Sequence, residues 1–241
     1  GGRDTVLSID VHYSHIEFRA GVTFSDALPV LIEHFPAMQD LLRRWASPPI
    51  RNAATLGGNI ANGSPIGDSM PALIALGCSV TLTSAAGSRE LPLESLYHDY
   101  QVNDIAPGEF IERIRVPRLA DNQHFRTYKL SKRFDQDISA VCAAFRLTIV
   151  NDEIIAARAA FGGVAGTPSR ASGCEQAMTN QAFNENTLNR AMLALEDDFS
   201  PLSDMRASAD YRSAATKNLL KRCFIEIGQP DVATDVYNFG R

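Results

Sequence analysis

The stretch 52-NAATLGGNIANGSPIGDSMPAL-73 places glycine, asparagine and serine directly before an apolar run. Glycine loses more conformational freedom on folding than any other residue, so an ordered backbone here needs compensation from a tight turn or from a ligand that approaches the backbone closely. Within it, the consecutive glycines of 55-TLGGN-59 let successive N–H groups point the same way and form a concave anion site. The threonine hydroxyl and the asparagine amide beside them could also donate to a phosphate oxygen.

Asp68 follows the glycine pair and has two interpretations. A carboxylate at this place could accept hydrogen bonds from a sugar diol, as in many dinucleotide sites. It also precedes 69-SMPAL-73, where it could simply cap a helix. Spacing alone favours the turn and the helix cap, because short glycine motifs are weak signals.

Composition indicates an ordinary globular protein. The chain has 241 residues, 45% of them hydrophobic and 21% charged, with a net charge of -5. No long run of Lys or Arg suggests a nucleic acid partner. No apolar stretch reaches the roughly 18–20 residues of a membrane span.

The cysteines and histidines do not form a metal-binding pattern. None of the four cysteines has CxxC spacing and the five histidines are scattered, so a zinc or iron–sulfur site in this chain is not expected. Cys78 and Cys142 lie in apolar, strand-like segments, which predicts buried free thiols. A reduced, cytoplasmic protein fits this usage best.

The first half predicts an antiparallel sheet with helices, an α+β arrangement. Expected strands are 15–22, 78–85, 88–96 and 109–117, and expected helices are 25–35, 37–45 and 70–77. Ser25 is the predicted N-cap of the first helix, and Gly77 is predicted to end the third. Pro48 and Pro49 prevent the second helix from continuing.

The second half predicts a smaller α+β domain. Strands are expected at 124–133, 139–150 and 153–163, with Asn151 and Asp152 as a hairpin turn. Helices are expected near 168–178, 185–198 and 208–227, the last amphipathic with Tyr211 and Cys223 on its apolar face. A loop at 118–123 separates the halves, so we expect domains at 1–120 and 121–241.

Several ordered motifs resemble those of a known family. The series runs through Arg51-Asn52, 55-TLGGNI-60, 64-SPIGD-68 and 71-PAL-73, and resembles the FAD-binding domain of the molybdenum hydroxylases. Residues 46–77 look most like the flavin-bearing small subunit of bacterial xanthine dehydrogenases. Later segments agree with this resemblance: 107-PGEFI-111, Tyr128-Lys129, 161-FGGVA-165, 204-DMRAS-208 and Tyr211-Arg212.

The resemblance implies FAD as the cofactor and suggests its contacts. Thr55, Leu56, Gly57, Gly58 and Asn59 would hold the pyrophosphate through backbone and side-chain groups. The others would contact the remaining parts of FAD: Asp68 the adenosine end, Trp45 a ring, Ile111 an apolar surface, and Lys129 the flavin region. Trp45 and Ile111 could equally be core residues, and Lys129 could belong to a solvated face. The loop 131-SKRFDQD-137 matches one beside the flavin in the family, and its charges also fit an ordinary surface loop.

The resemblance also implies what this chain would lack. Only residues 1–4 could correspond to the family's first phosphate loop, so the chain is expected to be a PCMH-type FAD-binding domain missing most of its first subdomain, followed by a domain like the C-terminal domain of CO dehydrogenase flavoproteins. The 2Fe–2S clusters and the molybdopterin would lie in partner domains or subunits. With them, the chain would pass electrons through FAD to NAD+ during purine oxidation, in a hetero-oligomer with two-fold symmetry.

Two other functions remain open from the sequence. The chain could be the flavin subunit of another hydroxylase, of the carbon monoxide dehydrogenase or aromatic-CoA reductase type. It could also be a non-catalytic docking module that has lost FAD binding. Fold alone does not decide among these functions, and no general acid or base is expected, because flavin electron transfer does not require one from this chain.

Overall fold

The structure, a computed structural model, describes residues 7–134 and 136–234. Residues 1–4, expected to correspond to a first phosphate loop, lie outside the described residues. Over the described residues, no helix is both long and apolar enough for a membrane span.

A five-stranded antiparallel sheet is the framework of the first half. In spatial order its strands are β1 (Ile9–Val11), β2 (His15–Arg19), β7 (Phe110–Pro117), β3 (Ser79–Ser84) and β4 (Gly87–Pro92). Alternate side chains of β2 and β3 enter the core, as the period of two requires. A separate hairpin contains β5 (Tyr97–Asp99) and β6 (Val102–Asn103).

Several α-helices cover this sheet. They are α1 (Phe24–His34), α2 (Gln39–Arg43), α3 (Pro48–Ala53), α4 (Leu56–Asn62) and α5 (Ser69–Leu76). All eight residues of α5 are buried, because the helix packs against β7 on one side and strands of the second half on the other. A helix that is apolar on every side must be covered in this way.

The second half is an antiparallel sheet covered by helices. The sheet order is β11 (Ser169–Arg170), β10 (Glu153–Gly162), β9 (Val141–Val150) and β8 (Gln123–Leu130), with β12 (Gln181–Ala182) also pairing with β10. The helices are α6 (Ser172–Met178), α7 (Glu185–Asp198) and α8 (Ala209–Gly228). The predicted α+β class is therefore confirmed.

Two hydrophobic clusters fill the protein and lie on opposite faces of the second sheet. The first cluster contains the core of the first half and also Phe125, Cys142, Ala144 and Ala160 of the second sheet. The second cluster lies between that sheet and its helices. Side chains of β8, β9 and β10 therefore complete the core beneath the glycine-rich stretch, so the two halves share an apolar interior. The division at residues 120 and 121 stays a prediction.

Several local predictions hold. Gly77 ends α5 in the left-handed region, with φ +80°. Asn151 and Asp152 have φ +49° and +59°, the signature of the type I′ hairpin turn. Cys78 and Cys142 are buried free thiols.

Other local predictions are wrong. Thr23, not Ser25, is the N-cap of α1, because its hydroxyl accepts from the amide of Asp26. The strand expected to reach residue 96 ends at Pro92, and Leu93–Leu96 is a 3-10 helix. Tyr211 is half exposed instead of lying in the core.

Two helices were not expected. Pro48 and Pro49 do not only end the preceding helix: they start α3, since a missing N–H is tolerated in the first turn. The glycine-rich stretch itself contains α4. The second sheet also has the short strands β11 and β12 beyond its three expected strands.

Candidate functional site

The glycine-rich stretch forms a capped helix, α4. Thr55 is its N-cap, in extended conformation, and its Oγ1 accepts a hydrogen bond from the amide of Gly58 at 3.0 Å. Gly63 ends the helix with φ +56°, a conformation that glycine adopts without strain. At the start of the helix, Thr55 also forms an isolated antiparallel bridge with Thr23, the N-cap residue of α1.

The first amide groups of α4 already have acceptors inside the protein. The donor–acceptor pairs are Leu56 N to Val22 O at 2.9 Å, Gly57 N to Ala20 O at 3.1 Å, Gly58 N to Thr55 Oγ1 at 3.0 Å, and Asn59 N to Thr55 O at 3.0 Å. The sequence suggested a concave site of free N–H groups. The turn does not provide one, because these amides are already hydrogen-bonded. A ligand here would meet side-chain donors and a bare backbone surface.

The two glycines do different things. Gly57 is buried, and a Cβ at this position would lie 2.4 Å from the Ala20 Cβ and 2.7 Å from the Ala20 backbone. Gly57 is thus required for α4 to approach the turn after β2. Gly58 is exposed, and a Cβ there would meet only the Thr55 hydroxyl, at 2.8 Å. Gly58 leaves an open surface on the outside of the helix.

Two donors lie beside this open surface. The Thr55 hydroxyl accepts from Gly58 and has no acceptor for its own hydrogen among the described residues. The Asn59 Oδ1 accepts from the Ser69 hydroxyl, which holds the amide in place, and its Nδ2 has no partner in the described part of the chain. A bare backbone edge with a hydroxyl and an amide donor fits the pyrophosphate of a dinucleotide cofactor.

Asp68 is a buried carboxylate with protein partners on both oxygens. It is 7% exposed. Its Oδ2 lies 2.5 Å from the Lys129 Nζ, and its Oδ1 accepts from the Ser139 hydroxyl. Asp68 occupies the N-cap position of α5, but its side chain makes no capping bond, so helix capping does not explain it. A carboxylate has about four lone-pair sites, so it can still accept from a ligand.

Lys129 is not on a solvated face. It lies on β8, is 6% exposed, and directs its ammonium group to Asp68 in the other half of the molecule. Cys142, its cross-strand partner on β9, lies behind the pair. Burial raises the pKa of the Cys142 thiol well above its ordinary value, and the Asp68 charge raises it further. The thiol therefore stays protonated and inert.

Trp45 and Ile111 are core residues with small exposed fractions. The Trp45 ring stacks on Phe24 with the centroids 4.4 Å apart and is 5% exposed. Ile111 lies on β7 opposite Leu82, where the register of the pairing shifts, and is 6% exposed. Both belong to the first hydrophobic cluster, which agrees with the alternative that they are core residues. Contact of either with a cofactor stays a prediction.

Arg44 links the segment of Trp45 to the loop at 131–137, whose residue 135 lies outside the described part. Its guanidinium donates to Lys129 O at 2.7 Å, to Ser131 Oγ at 2.8 Å and to Phe134 O at 3.1 Å. The loop start is therefore held against α2. Sequence reasoning missed Arg44, although its position next to Trp45 was a usable signal. It also missed Ser139, for which the sequence carries no signal.

A cavity of about 1150 Å³ lies beside this loop. Its walls come from α2, β8 and the end of α8. Cationic side chains outnumber the acidic ones in its lining: Arg43, Arg44, Arg126, Lys129, Lys132, Arg133 and Arg222, against Asp40, Glu226 and Asp231. Such a basin attracts anionic ligands.

Two family models match consecutive parts of the chain. Residues 5–119 match the FAD binding domain in molybdopterin dehydrogenase, and residues 126–227 match the CO dehydrogenase flavoprotein C-terminal domain. The matches together span nearly all of the chain.

Known proteins agree with these matches. Over 80% of its length the chain is 34% identical to nicotinate hydroxylase, and over 78% it is 30% identical to xanthine dehydrogenase, both of Emericella nidulans. It spans only 15% of the length of each. It is 32% identical to the carbon monoxide dehydrogenase medium chain of Afipia carboxidovorans, covering 80% of this chain and 66% of that one. The structure of CO dehydrogenase from Oligotropha carboxidovorans superposes with a TM-score of 0.83 at 26% identity, covering 90% of this chain and 77% of that chain.

The chain therefore belongs to the family of FAD-binding subunits and domains of the molybdenum hydroxylases. Its residues 5–119 form the FAD-binding domain of that family.

Proposed function

We propose that this chain carries FAD within a molybdenum hydroxylase complex and passes electrons from iron–sulfur clusters in a partner to NAD+. The observation that carries the proposal is the open Gly58 surface, with its two free donors, inside a domain that matches the family's FAD-binding domain. The molybdopterin and the 2Fe–2S clusters would belong to partner domains or subunits, in an assembly with two-fold symmetry.

The residues of this chain would bind and orient the cofactor. The hydroxyl of Thr55 and the amide of Asn59 would donate to the pyrophosphate across the surface of Gly58, while Leu56 and Gly57 anchor the helix in the core. Asp68 would accept from the adenosine end. When bound, FAD supplies the redox chemistry.

Trp45, Ile111 and Lys129 would shape the ring end of the site. The small exposed edges of Trp45 and Ile111 offer apolar contact and exclude water. Lys129 is held by Asp68, so its charge sits at a fixed place beside the flavin region. A preorganised charge in a dry site acts more strongly than one in water.

NAD+ as the acceptor has separate support. The cationic cavity between α2 and β8 adjoins the loop at 131–137 and the segment of Trp45. The pyrophosphate of NAD+ is an anion that this lining would attract. Arg43, which is exposed and has no described partner, is suited to meet it.

A purine is the proposed substrate of the complex, and the resemblance of residues 46–77 to bacterial xanthine dehydrogenases supports it. A carbon monoxide dehydrogenase type of complex is the second candidate. It is favoured by the match to a separate medium chain of similar architecture. The substrate pocket would lie on the molybdopterin partner, so isolating the complex and assaying xanthine against carbon monoxide distinguishes the two.

The cofactor proposal is tested by titrating FAD into the purified chain and following flavin fluorescence. We expect saturable binding in the parent and its loss in Gly58→Asp, because a carboxylate would fill the open surface and repel the pyrophosphate. Asn151→Asp is the matched control, since it adds the same charge at the exposed turn between β9 and β10, at the end of the second sheet opposite Lys129. Equal binding by Gly58→Asp and the parent would refute the proposed cradle. No binding by any of the three would favour the docking-module function.

The proposal that NAD+ is the electron acceptor is tested under anaerobic conditions on the chain loaded with FAD. We expect NADH to bleach the visible flavin absorbance, and Arg43→Glu to slow the reaction by about ten-fold at low NADH, an effect of electrostatic steering. Bleaching by dithionite but not by NADH would exclude NAD+ as the acceptor of this chain.

A further inference from the structure

Arg212 is a buried arginine that joins three separate segments of the chain. It lies in the first turn of α8 and is 2% exposed. Its Nη1 donates to the carbonyl oxygens of Ala140 and Gly163, the latter at 2.6 Å, and its Nη2 donates to the Asp204 carboxylate at 2.7 Å. One guanidinium thus fixes two backbone carbonyls that are distant in sequence.

The Gly163 segment carries this connection onward. Gly163 has φ +85°, and its amide donates to Pro65 O at 2.7 Å. A Cβ at this position would lie 2.5 Å from Ala140 O, so the two backbones pack directly on each other. Arg212 therefore holds the turn at Pro65 through one intervening residue.

Both segments lead to Asp68. Ala140 follows Ser139, which is fully buried and whose hydroxyl donates to the Asp68 Oδ1. Pro65 belongs to the turn immediately before Asp68. Two backbone segments therefore flank the Asp68 carboxylate, one at Ser139 and Ala140 and the other at Pro65. Arg212 contributes to holding both of them in place.

We propose that Arg212 is a positioning residue for the cofactor site, acting through Ala140 and Gly163 to hold Ser139 and the Pro65 turn around the Asp68–Lys129 pair. The part that concerns FAD rests on the proposed function. Groups that bind a cofactor need support from a second layer of residues that fixes their geometry. Arg212 supplies that layer from the far end of the chain, without touching the cofactor residues.

Arg158 provides a matched control. It is an arginine on β10 whose Nε and Nη2 donate to Ile74 O at 3.0 and 2.7 Å, and whose Nη2 also contacts Glu94 at 2.6 Å. It makes the same kinds of contact as Arg212, but at the opposite end of α5 from Asp68. If Arg212 only stabilised the fold, substituting Arg212 and substituting Arg158 would have the same effect on the region around Asp68.

The experiment compares Arg212→Lys with Arg158→Lys by amide hydrogen exchange of the full chain without cofactor. A lysine keeps the charge but cannot hold two carbonyls and a carboxylate in one plane. We expect amide exchange at 66–69 and 139–141 to accelerate by ten-fold or more in Arg212→Lys, with residues 74–77 within two-fold of the parent. The pattern should be reversed in Arg158→Lys. Unchanged exchange at 66–69 and 139–141 in a folded Arg212→Lys would overturn the inference.

FAD titration is the second readout. The Kd for FAD should rise at least ten-fold in Arg212→Lys and stay within two-fold in Arg158→Lys, although both lower the melting temperature. Equal losses of affinity in the two variants would reduce Arg212 to a general stabiliser. Failure of the parent to bind FAD would count against the proposed function alone, because the exchange measurement needs no cofactor.

A milder variant covers the case in which Arg212→Lys does not fold. Asp204→Asn removes the carboxylate that holds Nη2 but leaves both carbonyl contacts in place. It should accelerate exchange at 66–69 and 139–141 by about three-fold. An acceleration confined to the region around residue 204 would contradict the proposed path.

Discussion

The Lys129 ammonium nitrogen lies 2.5 Å from the Asp68 Oδ2, although the two residues are 61 positions apart. Asp68 precedes the buried helix α5 and Lys129 lies on the edge strand of the second sheet. Both side chains are almost fully buried. The pair therefore ties the glycine-rich stretch to the second half of the molecule by a charge contact that water cannot easily screen.

Removing one partner of this pair should be strongly destabilising. Lys129→Met leaves the Asp68 carboxylate buried with only the Ser139 hydroxyl, so we expect the free energy of unfolding to fall by about 3–5 kcal/mol. Urea unfolding measures the change. Lys132→Met, at an exposed lysine in the next loop, is the control and should change stability by less than about 1 kcal/mol.

The double variant Lys129→Met with Asp68→Asn sharpens this prediction. Removing both charges should recover part of the loss, because no unpaired buried charge remains. If Lys129→Met is as stable as the parent, the pair contributes nothing and the buried contact is not the tie between the halves.

The two glycines of α4 should respond differently to alanine. Gly57→Ala places a Cβ 2.4 Å from that of Ala20, so the helix must move, and we expect a loss of about 1–3 kcal/mol or more of unfolding free energy. Gly58→Ala meets only the Thr55 hydroxyl and should stay within about 1 kcal/mol of the parent. Thermal unfolding of the two variants measures both losses of stability. Equal losses would mean that the close approach of Gly57 to Ala20 does not distinguish the two positions.

The N-cap of α1 can be tested by a pair of single substitutions. Thr23→Ala removes the hydroxyl that accepts from the Asp26 amide and should lower stability by about 1 kcal/mol. Ser25→Ala removes an exposed hydroxyl that contacts Asn52 instead and should cost about half as much or less. A larger loss in Ser25→Ala would restore the assignment that sequence alone suggested.

Asp204 should make stability dependent on pH in the acid range. Burial alone would raise the pKa of this carboxyl, but the amides of Arg206 and Ala207 and the Arg212 guanidinium lower it to about 2. A folded-state pKa below the ordinary 3.8 means that the ionised group stabilises the protein fully above about pH 4. That contribution is lost as the pH falls toward 2.

The measurement is the difference in melting temperature between the parent and Asp204→Asn. We expect the parent to be more stable at neutral pH and the difference to shrink below about pH 4. Glu109, whose pKa is also lowered to about 2 by Arg89 first and by the Ala106 amide, titrates equally in both proteins and cancels. A difference that does not change with pH would show that the Asp204 charge is not the stabilising feature.

The sequence by itself predicted much of the framework. Alternating apolar residues in 15–22 and 109–117 required strands with one buried side, and the observed strands β2 and β7 are shorter versions of them. The apolar run after Asp68 required a helix, and Gly77 ended it. Such features depend on local periodicity and on backbone conformation, which are written in consecutive residues.

Helix ends and the glycine-rich turn were less accessible. The sequence did not show that a helix, α4, contains the glycines, because its first two amides are satisfied by Val22 and Ala20 from another segment. The choice of Thr23 over Ser25 as a cap likewise depended on which hydroxyl the folded chain directs at an amide. Residues near a boundary offer several local solutions, and tertiary contacts select one.

The sequence alone determined the class of fold, the position of the glycine motif and the family resemblance, because each of these is carried by the order and spacing of residues. Only the tertiary structure decided which side chains meet. Lys129 of β8 and Ser139, just before β9, reach Asp68 at the start of α5, and Arg212 contacts the neighbouring Ala140 from the last helix. A buried ion pair requires several distant segments to exclude water together, and no local pattern encodes that exclusion.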